Sequence, residues 1–230
     1  LVLNLLLGLL AWRAGSVGPS GLLAGVGLGT FIYTFGGWRA FLILLAFFVL
    51  GSVTTRIGYA KKAAAGLAQE RGGARSARNA AANGAAAAIL IFFAAATPLT
   101  GLLTLAFVAA LATAAFDTVS SEIGQVAGRC TVLITSLRPV PPGTEGAVSL
   151  EGSLAGLVAA LLLGGLAVAT GQIPWAGMLP VVLGAFAGAM GESYLGATLE
   201  SLKLVDNEMV NFLNTVLGAA VALALARWVM

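Results

Sequence analysis

Residues 99–116 read LTGLLTLAFVAALATAAF, a run without a single charge, and the chain then turns at once to Asp117-Thr118-Val119-Ser120-Ser121-Glu122. Roughly 20 apolar residues cross the hydrocarbon core of a bilayer, so a run of this length predicts a transmembrane helix with acids at its end. Further apolar stretches lie at 1–12, 19–35, 38–56, 81–97, 150–171, 175–192 and 209–229. Of the 230 residues, 59% are hydrophobic and 9% charged, whereas a soluble domain carries about 25% charged residues. So few charges cannot cover a water-facing surface, which excludes a soluble globular protein. At roughly 20 residues per span, the expectation is an all-α, polytopic integral membrane protein with about seven to eight transmembrane helices in one bundle. A single transmembrane domain over 1–230 is the simplest division.

Leu at position 1 suggests that a few residues precede it, and 1–12 reads as a first helix. A signal peptide would need a cationic start, and no cation precedes Arg13. The 19–35 stretch is Gly-rich, and 81–97 with 99–116 predicts a tight hairpin turning at Thr97-Pro98. The 31 Gly and tracts such as Ala85-Ala86-Ala87-Ala88 suit close helix packing in lipid, as does the Gly184/Gly188 spacing. They permit a homodimer without demanding one.

The charges separate by side. With the connection at about 56–80 placed in the cytoplasm, Arg13, Arg56, Lys61, Lys62, Arg71, Arg75, Arg78, Arg129, Arg138 and Lys203 fall inside, and only Arg39 and Arg227 fall outside. This is strong positive-inside bias. All the acids lie on that inner side too, in or beside the connections at about 56–80, 117–149 and 193–208. The expected location is an integral membrane, the cell inner membrane in a prokaryote, with the active surface on the cytoplasmic face. There is no His, and Cys130 stands alone. Imidazole chemistry, disulfides and thiolate metal clusters are therefore excluded.

Four inner stretches carry the candidate chemistry. In the first, Lys61, Lys62, Arg71, Arg75 and Arg78 accompany a Gly72-Gly73 turn and the amides Asn79 and Asn83. The two amides lie four apart and share a helix face, which suits a phosphate or nucleotide better than a lipid anchor. In the second, Asp117 and Ser121 share a face if the helix continues, while Glu122 lies about 140° round. A break near the serines would bring both carboxylates to one point. Paired hard oxygens suit Mg²⁺, which takes one or two carboxylates and completes its shell with water and phosphate. The third stretch is Pro-rich at 139–142 and continues Gly143-Thr144-Glu145-Gly146-Ala147-Val148-Ser149. It can offer backbone N–H groups to an anion, and Ser149 reads as a helix cap. The fourth holds Glu192 at the end of an apolar run, then Asn207 and Asn211 again at i, i+4. Carboxylates, amides and cations on one face fit an anionic substrate with a divalent metal between phosphates.

Five ordered pieces resemble the family of plant phytyl-phosphate kinase and transmembrane protein 19. They are Glu70-Arg71-Gly72-Gly73 with Arg78-Asn79 and Asn83-Gly84; Asp117-Thr118-x-x-Ser121-Glu122-x-Gly124; Gly143-Thr144-x-Gly146-x-Val148-Ser149 followed by Gly152-x-x-Ala155-Gly156; Glu192-Ser193-x-Leu195-Gly196-Ala197; and Asn207 with Val210-Asn211. The resemblance runs from about residue 36 to the end, and dolichol kinases and phosphatidate cytidylyltransferases look like more distant relatives. Glu192 stands where the pattern usually has Asp, and Glu145 where it usually has Asn or Gly.

The resemblance implies a membrane kinase that moves the γ-phosphate of CTP, or of another nucleoside triphosphate, to an isoprenoid monophosphate with Mg²⁺. Asp117 and Glu122 would hold the metal or position the attacking phosphate, with Glu192 as a third metal or base candidate. Lys61, Lys62, Arg71, Arg75 and Arg78 would neutralise phosphate charge. Asn79, Asn83, Asn207 and Asn211, with Ser121, Thr144 and Ser149, would contact nucleotide or phosphate. No GxxxxGK[ST] phosphate loop occurs, so cations, amides and metal must hold the triphosphate. The expected partners are the nucleotide, the isoprenoid phosphate and membrane lipid, with no nucleic acid. A kinase of isoprenoid alcohols is the alternative within this class; a small-solute transporter or channel, or a structural scaffold, are the alternatives outside it. A transporter needs ionisable groups accessible from both sides, and here one side is almost uncharged.

Overall fold

The computed structural model describes residues 1–229, apart from the side chains of Glu70, Arg71 and Val229. Among the described residues six helices are long and apolar enough to cross a membrane. The longest, α2 (Pro19–Arg56), is two helices joined at Gly37, whose φ of 69° and ψ of −170° lie outside the helical region. Only glycine adopts such a backbone without strain. The chain reverses there. Tyr33 and Phe41 stack with ring centroids 5.9 Å apart, and the Arg56 guanidinium at the far end returns to Ala14 O and to Ser16 Oγ, the latter at 3.0 Å. Counting the two antiparallel halves separately gives seven crossings, in line with the expected bundle. A shorter apolar helix, α1 (Val2–Arg13), packs against α2.

The remaining spans are α5 (Ala77–Ala96), α6 (Thr100–Ala127), α7 (Leu150–Ala169), α8 (Met178–Leu195) and α9 (Asn207–Val229). Short helices α3 (Tyr59–Ala64) and α4 (Glu70–Gly73) fill the first inner connection. Pro98 and Thr97 make the tight α5–α6 turn, where Thr100 Oγ1 donates to Ala94 O at 2.9 Å. Between α6 and α7 the strands β1 (Thr131–Leu133) and β2 (Ala147–Ser149) pair antiparallel, with Val132 opposite Val148.

Helix α6 is the central post. It packs against α2, α5, α7, α8 and α9, and every residue from Leu105 to Asp117 is buried. Small side chains make this possible: a Cβ on Gly156 would meet Phe116, and one on Gly188 would meet Thr113 and the Asn214 backbone. At 1.5 Å per residue α6 is about 42 Å long, well beyond a hydrocarbon core of about 30 Å. It therefore carries Asp117 to Gln125 past the apolar body, into the end where the inner connections gather. The exposed Trp38, Trp175 and Trp228, with Arg39 and Arg227, lie at the opposite end, as an interfacial aromatic belt requires.

Candidate active site

A cavity of about 920 Å³ opens at the end of the bundle that holds the inner connections. Of the side chains singled out above, Arg75, Arg78, Asn79, Asn83, Asp117, Ser121, Glu122, Thr144, Ser149, Glu192, Asn207 and Asn211 all line it. Residues spread over more than 130 positions of chain are brought together by α5, α6, α7, α8 and α9. The side chain of Arg71 lies outside the described residues.

Three helix starts face the cavity. Ser76 caps α5 by accepting from Asn79 N at 3.2 Å, Ser149 caps α7 by accepting from Gly152 N at 3.2 Å, and Asp206 caps α9 by accepting from Met209 N at 2.9 Å. Helix N-termini carry partial positive charge and unpaired N–H groups. Ser149 was legible as a cap; Ser76 was not noted, although a serine just before a helical run is the usual signal.

Arg75 is the cation set deepest in the wall. Its guanidinium carbon lies 5.2 Å from the Phe47 ring centroid and 6.0 Å from that of Phe48. Its backbone is fixed on both sides, Arg75 N donating to Ser16 O and Arg75 O accepting from Gly18 N, each at 3.0 Å. Burial pulls its pKa down to about 10, while the negative charge of Glu122 acts the other way. It stays charged at neutral pH. A Cβ on Gly51 would overlap this guanidinium, so the glycine makes the space in which the cation lies. Arg78 is exposed and pairs with Asp206 at 2.6 Å and Glu208 at 3.5 Å, clasping the starts of α5 and α9. The Asp206 carboxylate is held below its ordinary range, first by the Met209 N–H and then by Arg78.

The carboxylates divide. Helix α6 continues unbroken past the serines, so Asp117 and Glu122 project in different directions. Asp117 faces α8 and α9, beside Glu192 and Asn214, and Glu192 accepts from Ser193 Oγ at 3.2 Å. Glu122 instead pairs with Lys62, whose ammonium also donates to Thr55 O at 2.8 Å. Among the described residues no three Asp, Glu, His or Cys side chains gather as a metal-binding set; the pair Asp117 and Glu192 is what the fold brings together. Lys62 is 1% exposed and does not line the cavity. Lys61 donates to Val126 O at 2.6 Å and also lies outside it. These two lysines tie α3 to α6.

The amides behave as spaced. Asn83 Nδ2 donates to Asn79 O at 3.0 Å, which leaves Asn79 Oδ1 and Asn83 Oδ1 without partners. Asn211 Nδ2 donates to Asn207 Oδ1 at 2.9 Å. Asn214, not singled out from sequence, is fully buried one turn deeper, beside Asp117. Its signal was present: positions 207, 211 and 214 share one face of α9.

A profile of the family described as integral membrane protein DUF92 matches residues 2–219. This chain belongs to that family. An uncharacterised membrane protein of Synechocystis, sll0875, is 43% identical over 86% of this chain and 78% of its own length. The chloroplastic protein VTE6 of Arabidopsis thaliana is 36% identical over 92% of this chain and 66% of its own length. The uncharacterised membrane protein MJ0933 of Methanocaldococcus jannaschii is 30% identical over 94% of this chain and 88% of its own length. No solved structure matches. The membership read from the ordered motifs is borne out by the DUF92 profile and by VTE6.

Proposed function

We propose that this DUF92 protein is a membrane kinase that transfers the terminal phosphate of a nucleoside triphosphate, CTP by family resemblance, to an isoprenoid monophosphate. The observation that carries the reading is the makeup of the cavity. A half-buried guanidinium and capped helix starts line the same cavity as the Asp117–Glu192 pair, at one end of a body whose spans are apolar. Such a cavity suits two anionic groups meeting at a membrane surface, one from water and one carried by a lipid.

In this reading an oxygen of the acceptor phosphate attacks the γ-phosphorus of the nucleotide. A new P–O bond forms, the bond from that phosphorus to the β–γ bridging oxygen breaks, and the nucleoside diphosphate leaves with the electron pair. The nucleophile is already an oxyanion, so no base is required. Arg75, with the α5 and α7 N-termini, offsets the charge spread over the transferred group. Asn79 presents an unpaired amide oxygen to donors of the nucleotide, and Asn83 presents one to a donor on either substrate. Asp117 and Glu192 fit Mg²⁺, which takes one or two carboxylates with phosphate and water. When bound, Mg²⁺ neutralises charge between the phosphates. Glu122, committed to Lys62, holds the wall. The active surface is assigned to the cytoplasm on the charge bias.

The test is a panel of nucleotides labelled at the γ-phosphate with prenyl monophosphates and prenyl alcohols of several lengths. Labelled prenyl diphosphate is the expected product; label in a prenyl monophosphate instead would point to an alcohol kinase.

A further inference from the structure

A second cavity, of about 410 Å³, lies between the first half of α2 and α5, and every residue lining it is apolar. Ala24, Leu28 and Phe31 form one wall and Ala81, Ala85 and Ala88 the other. Its shape follows from small residues: Gly84 lets α5 close on Leu28, where a Cβ would collide, while a Cβ on Gly27 would stand in open space.

This trough shares its walls with the polar cavity. Ser20 and Ala77 line the polar cavity, and Ala24 and Ala81, one turn farther along the same helix faces, line the trough. Its deep end is stopped by rings: Phe31 stacks on Phe35 at 4.7 Å and on Phe92 at 6.2 Å. From Ser20 to Phe31 the helix rises about 16 Å. Near the shared rim Asn83, 4% exposed, lines the polar cavity and leaves its amide oxygen, a hydrogen-bond acceptor, without a partner, so this end takes a ligand with a donor to offer, as the P–OH of a phosphate monoester monoanion has. Arg75 and the capped start of α5 lie there as well.

An occupant must therefore be anionic at one end, and narrow and apolar along its length. A volume of about 410 Å³ is at the low end for a ligand site and leaves room for one chain rather than for the two joined chains of a phospholipid. We propose that the trough between α2 and α5 binds the isoprenoid tail of the acceptor, with its phosphate at the Ser20–Ala77 rim and its chain running toward Phe31. The assignment rests on the isoprenoid-phosphate reading above and adds where the chain lies and what limits its length.

The experiment uses the whole protein in phosphatidylglycerol-containing vesicles and a farnesyl-type monophosphate with a diazirine at its tail. Photolysis and peptide mapping are expected to place the label within 27–35 and 85–93, and excess unlabelled farnesyl phosphate is expected to reduce it about tenfold. Ala85→Phe, and Gly27→Leu on the opposite wall, are expected to remove the label. Each should raise KM for the long-chain phosphate by about tenfold, a span of one or two methylene contacts, and leave a five-carbon phosphate unaffected. Label on the outer faces of α7 and α8, or equal labelling by a diacyl phosphatidylglycerol probe, would overturn the assignment. Labelling needs no phosphoryl transfer. A mapped label without turnover keeps the trough and removes the kinase reading, whereas turnover with the label elsewhere removes the trough alone.

Discussion

Lys62 on α3 and Glu122 on α6 form an ion pair closed off from solvent, the two side chains being 1% and 5% exposed. The pair fastens the first inner connection to the central helix. Arg75, at the end of that connection, then needs no carboxylate in direct contact and turns its charge to the cavity.

Removing one partner of such a pair leaves the other charge buried and costs about 3–5 kcal/mol, while replacing both by apolar groups of similar size is close to neutral. Lys62→Met and Glu122→Gln are each expected to lower the melting temperature in detergent sharply, and Lys62→Met with Glu122→Leu to restore it. Asp117→Asn should do the opposite, keeping the melting temperature and lowering phosphoryl transfer by about 100-fold or more, the scale seen when one charge-stabilising group is removed. An unchanged melting temperature in Glu122→Gln, together with lost activity, would place Glu122 in the chemistry instead.

Gly51 offers a separate handle on Arg75. The side chain of Gly51→Ala would overlap the guanidinium. The helix itself gains from the change by about 1 kcal/mol, so loss of fold is not the expected result. A rise in KM for the nucleotide of about tenfold, matching that of Arg75→Met and with the melting temperature maintained, is the outcome to look for in steady-state kinetics.

Asp206 supplies a pH dependence whose sign is fixed. Its carboxylate is stabilised in the folded chain by the Met209 N–H and by Arg78, so its folded pKa lies below the unfolded value of about 3.9. Its contribution is present above that value and is lost as pH falls through the folded pKa. Thermal melts of Asp206→Asn should fall below the parent at pH 7 and converge with it as pH falls through the folded pKa.

Cys130 reports the orientation. It is exposed and free, between α6 and β1 at the end of the bundle that holds the cavity. A membrane-impermeant maleimide should label it in inside-out vesicles and not in intact cells; the reverse pattern would move the active surface to the outer side.

Most of the fold was legible because lipid imposes a simple rule on sequence: spans are long and apolar, and cations stay on one side. The break at Gly37 falls between the two stretches read at 19–35 and 38–56, and the α5–α6 turn falls at Thr97-Pro98. The end of α6 was harder. The sequence allowed either a continuous helix or a break at Ser120-Ser121, and nothing local chooses between them. Packing of the whole helix against five others favours continuity, and with it the separation of Asp117 from Glu122.

The candidate site divides in the same way. Sequence alone identified a lipid-embedded α-helical body with its carboxylates, amides and cations gathered at one end, since hydropathy and charge are properties of each residue and survive without a partner. It could not tell which cation meets which carboxylate, because an ion pair such as Lys62 with Glu122 joins positions 60 residues apart and depends on how two helices are rotated about their axes. Only the tertiary structure decided that Asp117 stands with Glu192, that Lys62 and Lys61 tie α3 to α6, and that Arg75 lies in the space left by Gly51.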